Sequence, residues 1–568
     1  MPTPVTFTIR KNAVPVALLL LSAFVNANRA SAQTGDEARA RKVDELFARF
    51  NRSPSPGLAV AVVRDGKVIL RKGYGLANLE ERIPITPSTV FDIASVSKQF
   101  AGLAVAMLVE QGKVKLTDDI RKHIPELPAI GHTITVDHLL HHTSGLRDWP
   151  GTLAVAGWRM DDVISFDQIL TMAYHQKTLN FVPGAEYTYS NTGYNLLAEM
   201  VERVTGQSFR SWTDTHLFKP LGMTSSHFRD DHTGVVRHRA LGYARQPDSS
   251  FRSIPNNLMA LGSSSLFSTV DDLAKWVINF DNPVVGGRTA MAMTRTRGRL
   301  NSDSTIPYAF GVSHGEYRGL PTVAHSGGWA SFATYLVHFP GQRFGVIVLG
   351  NSGISNPARA AFEIADLYLQ DELKPRAQAS APETARTVDV APDILRDYVG
   401  VYKLGPGWYV RVRQDGRVLR AQASGENEFP MSARSDSVFW VDGYGAAIAF
   451  RRDATGKVTH FIYRDRKAPR MDESRATRST QVADFVGAYV SDELQTTYEV
   501  ERKGGDSLVL KHRRHGAIPL TPGWEGDFTT PLWFLKSVEF ERDAAGVVTG
   551  FVVNVDERSR NIRFAKRR

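Results

Sequence analysis

Cysteine is absent from the chain. That excludes disulfide staples, thiolate metal centres and a thiol nucleophile, and it leaves stability to core packing. Gly-x-Ser-x-Gly occurs once, as Gly311-Val-Ser-His-Gly315, but it follows Phe310 in a strand-like stretch with no helical pattern after it, so the nucleophile elbow of the α/β-hydrolases is disfavoured. Beyond residue 30 no apolar run is long enough to span a bilayer. Acidic residues are outnumbered, 59 against 69 Lys and Arg. The densest basic clusters, Lys511–Arg514 and Lys566–Arg568, have no interleaved aromatics or nucleic-acid fold motif, so a solvated basic surface is expected and no nucleic-acid partner.

What is present at the start is a processing pattern. Arg10 and Lys11 precede an almost unbroken apolar run from Ala13 to Val25, and Ala30-Ser31-Ala32 supplies a small-x-small cleavage site. Residues 1–32 therefore read as a signal peptide cut after Ala32, and a periplasmic or secreted protein without membrane insertion is expected. Removing three basic residues with it lowers the formal charge from +10 to +7.

At 568 residues the chain is too long for one ordinary core. Val43, Leu46, Phe47 and Phe50 fall at helical spacing within Glu37–Phe50. Leu58–Val63 and Val68–Leu70 read as strands joined by the turn Arg64-Asp-Gly-Lys67. From Gln99 to Trp276 the pattern is mostly helical. Strand character returns in Phe310–Ser313, Phe332–His338 and Phe344–Leu349, before a helix over Ala358–Leu369. Strands at both ends around a helical insert predict one α/β sheet closed late in the chain, plus an all-helical subdomain. This first unit is assigned to residues 33–375, with a Pro- and Ala-rich linker at 376–390.

After the linker a repeat sets in. Tyr398-Val-Gly400-Val-Tyr402 matches Phe485-Val-Gly487-Ala-Tyr489, and Phe450-Arg-Arg-Asp453-Ala-Thr-Gly456 matches Phe540-Glu-Arg-Asp543-Ala-Ala-Gly546. Two small antiparallel β-barrels or curled sheets are expected, at 391–475 and 480–568. Neither carries a catalytic set; a structural role or partial cover of the active-site mouth is their default reading.

A Ser-x-x-Lys match occurs by chance about once in a chain this long. Ser95-Val-Ser-Lys98 is the one case here, since no other Lys has Ser three residues before it. It sits where the strand-like Val90–Ala94 runs into a helical pattern from Ser97 to Gln111, read as amphipathic. This puts a hydroxyl and an amine on one face near a helix start, where developing negative charge is favoured. Alone, the match is equally well a capping serine with a solvated lysine. Tyr189-Ser-Asn191 is the one Tyr-x-Asn in the chain and opens another helix, offering a phenol beside an amide. His325-Ser-Gly327-Gly328-Trp329 reads as an edge strand whose glycines permit close approach of a substrate backbone. His138, His141 and His142 have no matching acidic set, so no metal or other cofactor is expected.

With these three motifs in order, the chain resembles the serine β-lactamase and penicillin-binding-protein-like superfamily. It is most similar to the class C, D-aminopeptidase and esterase branch. The resemblance spans roughly Val43 to Leu369 and includes Leu139-Leu-His-His142-Thr-Ser-Gly145, Pro220-Leu-Gly-Met223 and Asp271-Asp-Leu-Ala-Lys-Trp276. It implies an antiparallel sheet flanked by helices with an all-helical subdomain, and an acyl-enzyme on Ser95. Lys98 and Tyr189 would handle the serine proton, as a neutral amine or a phenolate respectively. Asn191, His325, Gly327 and Gly328 would bind substrate, and the oxyanion would sit at the backbone N–H groups of Ser95 and Gly328. Where the family commonly has Lys-Thr-Gly, this chain has His325-Ser-Gly327, and a His is only partly charged near neutral pH. That favours small peptides or esters over β-lactams. The resemblance extends to D-residue peptides and linearised cyclic peptides such as linear microcystin. An esterase, a weak β-lactamase and an acylation-silent binding protein remain as alternatives.

Overall fold

The computed structural model describes residues 35–375 and 387–567, apart from positions 53, 406, 425, 465, 476–478 and 525. The expected signal peptide and most of the linker lie outside the described residues.

The central sheet is antiparallel and six-stranded. Its members are β1 (Leu58–Arg64), β2 (Lys67–Tyr74), β3 (Ser313–Tyr317), β4 (Leu320–Trp329), β5 (Phe332–Phe339) and β6 (Phe344–Gly350). They lie in the order β3-β4-β5-β6-β1-β2. The N-terminal hairpin thus joins the last strand of the unit, with Leu58 opposite Gly350 and Arg64 opposite Phe344. Both turn residues of that hairpin, Asp65 and Gly66, have positive φ, as the twist of a tight two-residue turn requires. Its first strand is apolar on both faces because both are covered. Val60 and Val62 pack with the helix α1 (35–47) and α6 (Pro357–Tyr368), whereas Ala59, Ala61 and Val63 face the opposite core.

That opposite core surrounds α2 (Lys98–Glu110), which is buried along nearly its whole length. The expectation of an amphipathic helix is corrected here. Sequestered between the sheet and the helical subdomain, α2 has no solvated face, and such a helix is apolar all round. The subdomain supplies α3 (Trp149–Val155) and α4 (Asn191–Thr205), and α5 (Val270–Asp281) packs back on the sheet.

The repeat resolves into two eight-stranded antiparallel units. The strands of Gly400–Pro469 form a curled sheet whose ends meet at a single bridge, Tyr402 to Arg470, and those of Gly487–Lys566 form a closed barrel. The repeated residues carry the same contacts in both. Tyr402 Oη donates to Tyr398 O at 2.9 Å, and Tyr489 Oη donates to Phe485 O at 2.7 Å. Gly400 and Gly487 have φ of 151° and 143°, which explains the repeated glycine. The Asp-x-x-Gly turns close alike, Gly456 N and Gly546 N each reaching the Asp carbonyl at 3.0 Å.

The closed barrel docks on the first unit at α3. Ala154 and Val155 belong to its apolar core, and Tyr498 Oη donates to Val155 O at 2.9 Å. The curled sheet in turn meets the barrel through Lys403, whose Nζ is 2.9 Å from Asp527 Oδ2.

Candidate active site

The segment carrying Ser95 is bent by its backbone. The strand Phe91–Asp92 ends, Ala94 takes φ +47°, and a 3-10 turn over Ala94–Ser97 leads into α2. A left-handed Ala costs on the order of 1–3 kcal/mol and persists only where surroundings over-determine it. Here they do. Asp92 Oδ1 accepts from Ala94 N at 2.8 Å, Ile93 N donates to Leu266 O at 2.9 Å, and Asn256 Nδ2 holds the other Asp92 oxygen at 2.7 Å. Burial pushes the Asp92 carboxyl up to about 6. The turn presents Ser95 half-exposed and aims Lys98 inward.

Lys98 is fully buried, which excludes the reading of a solvated lysine beside a capping serine. Its Nζ donates to Ser95 Oγ at 3.2 Å, to Asn191 Oδ1 at 2.7 Å and to Ser263 O at 2.8 Å. It also lies 4.8 Å from the centroid of the Tyr189 ring. Desolvation brings the amine down to about 7, against an upward pull from Asp148. Near neutral pH a large fraction is therefore the free base. The Tyr189 phenol is moved the other way, far above its ordinary value, chiefly by burial. The neighbouring Ser95 hydroxyl only partly offsets this. Of the two bases left open by the sequence, the neutral amine is the one this environment favours, and the phenol stays protonated.

His325 is 6% exposed, and both ring nitrogens are engaged. Nδ1 lies 2.6 Å from Ser326 O, so it carries the proton and donates. Nε2 is then the acceptor for the Tyr308 hydroxyl at 2.8 Å. Burial, reinforced by the Lys98 charge, depresses the imidazole to about 3. The expected partial charge on His325 is thus corrected: the ring is neutral throughout the working range, and no fixed cation stands at this position.

Beyond Ala324, β4 loses its β3 neighbour, and the exposed margin runs past the Ser95 turn. The two glycines there differ. A Cβ on Gly327 would fall 2.3 Å from Ile93 O, 2.4 Å from Thr334 Oγ1 and 3.1 Å from Ser95 N, whereas one on Gly328 meets only Phe332 O, at 3.9 Å. Gly327 is needed by the protein's own backbone rather than by a substrate's, which corrects half of the sequence expectation. Gly328 leaves open space.

Two further groups hold the amine, and the role of neither is read from the sequence. Asp148 precedes α3 but does not cap it. Its carboxylate turns to α4 instead, accepting from Asn191 N at 2.7 Å and from Asn191 Nδ2 at 3.1 Å. The Asn191 amide is thereby fixed with its oxygen on Lys98. The loop Gly262–Leu266 wraps the same amine through the Ser263 carbonyl. Gly262 has φ +79°, and a Cβ there would strike Tyr194 O at 2.4 Å. Asp148 sits in Arg147-Asp148-Trp149-Pro150, a pattern that reads as a plain helix start. The three histidines have local partners: His138 completes a capping box with Thr135, His141 lies against Asp137 O, the Asp137 carboxylate and Thr296 O, and His142 Nδ1 accepts from Ser190 N.

Known proteins are similar to this chain in family and fold. The model of the Beta-lactamase family matches residues 43–370. A D-aminopeptidase of Gluconobacter oxydans is 30% identical over 311 residues, 54% of this chain and 58% of that protein, so the chain spans less than two thirds of it. Penicillin-binding protein 4* of Bacillus subtilis is 26% identical over 441 residues, 75% of this chain and 96% of that protein. Among solved structures, the octameric penicillin-binding protein homologue from Pyrococcus abyssi is alike in fold. Its TM-score is 0.55 at 24% identity, covering 75% of this chain and 99% of that one.

Proposed function

The chain belongs to the beta-lactamase family, and from that premise we propose that it is a serine hydrolase acting through an acyl-Ser95 intermediate, with small or non-standard peptides as substrates. The observation that carries this reading is the buried Lys98 amine, poised near 7 and 3.2 Å from Ser95 Oγ. A serine hydroxyl is a poor nucleophile until a base takes its proton. Neutral Lys98 takes it as Oγ attacks the carbonyl carbon. The N–H groups of Ser95 and Gly328 receive the oxyanion, a contribution of roughly 3 kcal/mol per donor in related sites. The Tyr189 phenol, beside Ser95, passes its proton to the leaving amine as it takes the one held by Lys98, so both groups end neutral. Water then attacks the acyl carbon while Lys98 takes its proton, and that proton returns through Tyr189 to Ser95 Oγ as the acid leaves.

The substrate class follows from what the site offers. A neutral His325 gives a β-lactam carboxylate no cation to pair with, which supports peptide or ester substrates. The similarity to a D-aminopeptidase favours D-residue peptides, with linearised cyclic peptides such as linear microcystin in the same class. The similarity to a penicillin-binding protein over nearly its whole length favours, as a second reading, slow acylation by β-lactams. The N-terminal pattern supports export, with cleavage after Ala32.

Purified protein assayed with D-amino-acid anilides, p-nitrophenyl esters and nitrocefin separates these readings. Turnover of the anilides above the esters and nitrocefin is expected. Fast nitrocefin turnover without amidase activity overturns the peptidase assignment, and no acylation by any of the three points to a binding protein.

A further inference from the structure

The loop between the last two barrel strands, Val548–Asn554 and Ile562–Lys566, is built into the wall of the active site. Asp148 N donates to Arg558 O at 2.9 Å, and Ser559 Oγ donates back to Asp148 O at 3.0 Å. Asn180 clamps the same loop from the other side, Nδ2 to Arg558 O and Oδ1 from Arg560 N, each at 2.8 Å. Side chains then continue inward as a row. Arg558 Nη1 is 3.6 Å from Asp148 Oδ2, that oxygen is 3.1 Å from Asn191 Nδ2, and Asn191 Oδ1 is 2.7 Å from Lys98 Nζ.

We propose that Arg558 of the C-terminal barrel is a positioning residue that balances the Asp148 carboxylate and so allows Lys98 to stand as a neutral amine. This rests on the assignment of Ser95 and Lys98 above. The reasoning is one of charge count in a buried place. Around Lys98 the other groups are Tyr189, Tyr194, Asn191 and the imidazoles of His142 and His325, both depressed by burial and by the Lys98 charge itself. Asp148 is the acid that acts on it. Arg147, next in sequence to Asp148, gives its charge elsewhere: to Glu493, with further bonds to Arg560 O, Asn561 O and Thr178. Without Arg558, deprotonating Lys98 strands a buried carboxylate with no cation, which a low-dielectric site penalises. With it, the carboxylate stays paired when the lysine proton leaves. The two acids around Arg558 are Asp556, at 3.0 Å, and Glu557; they share its charge. The barrel is in this way an electrostatic part of the catalytic apparatus, a role that neither its composition nor its repeat discloses.

The test is the pH dependence of Ser95 labelling by a fluorophosphonate in the full chain, between about pH 5 and 9, with Ser95→Ala as the blank. In Arg558→Gln the acid limb is expected to move up by about one unit. Labelling then falls about tenfold near pH 6 and converges on the parent rate at high pH. Arg558→Lys should keep the parental limb, and Asp556→Asn, which frees the guanidinium, should move the limb down. The main-chain contacts of the loop survive all three changes, and a thermal melt checks that each variant folds. An unmoved limb in both Arg558→Gln and Asp556→Asn overturns the proposal. So does a loss in Arg558→Gln that is equal at every pH and not rescued by Lys. Labelling that persists in Ser95→Ala is a different failure and overturns the nucleophile assignment instead.

Discussion

Replacing Gly327 by alanine adds a methyl group where three groups already stand. The Cβ is placed 2.3 Å from Ile93 O, 2.4 Å from Thr334 Oγ1 and 3.1 Å from Ser95 N. Thr334 Oγ1 itself donates to Ile93 O at 2.9 Å, so the hydroxyl cannot swing away without leaving that carbonyl unpaired. Ordinary contact needs about 3.5 Å, so the strand and the Ser95 turn must part by about 1 Å. Overpacking of this kind costs roughly 1–3 kcal/mol, and a 1 Å misplacement of a nucleophile costs about a hundredfold in rate. Gly328→Ala is the internal control, because its Cβ meets nothing closer than 3.9 Å and it keeps the same N–H. Melting curves and kcat/KM on a p-nitrophenyl ester read both effects. Gly327→Ala should melt a few degrees lower and lose about two orders of magnitude in kcat/KM. Gly328→Ala should melt like the parent protein, and any loss in its kcat/KM comes from crowding the substrate rather than from a displaced Ser95. Equal damage from the two substitutions, or none from Gly327→Ala, refutes the reasoning.

Two further outcomes are expected. Because Lys98 is brought down to about 7 by burial, its free-base fraction grows as pH rises through that value. kcat/KM for an uncharged ester should climb with pH to a plateau above about 8, and a rate already flat from pH 5 rules the amine out as base. Arg147→Ala takes from the buried Glu493 its close guanidinium partner, leaving it the backbone N–H and the charge of Lys177, and also frees the carbonyls of Arg560 and Asn561. Breaking such a pair costs about 3–5 kcal/mol, felt mainly as loosened docking of the barrel. Limited proteolysis should then cut between the two parts, whereas Arg147→Met with Glu493→Leu should resist; undiminished resistance in Arg147→Ala contradicts this.

The motif residues were readable because each combines a rare spacing with a position at the start of a helix or along a strand. Ser95, Lys98, Tyr189 and Asn191 do converge around one amine, and the hairpin at Asp65-Gly66 joins β1 and β2 as its turn chemistry predicts. What could not be read was set by tertiary surroundings. The buried length of α2 is a consequence of the subdomain packed over it, which periodicity does not report. His325 looks like a titratable group in a string of letters, but desolvation and the Tyr308 bond make it a neutral acceptor. Asp148 resembles a routine residue before Trp-Pro, and its partner Arg558 lies far along the chain, in the second repeat, with no motif to mark it. Only the docking of the barrel on α3 brings them together.

The central claim is that Ser95 becomes acylated with Lys98 as the base. Intact-mass spectrometry after brief exposure to a fluorophosphonate or a slow ester tests it directly. One adduct per chain is predicted, mapped to the peptide containing Ser95, formed slowly in Lys98→Met and not at all in Ser95→Ala. An adduct on any other residue, or undiminished labelling in either variant, would contradict the account.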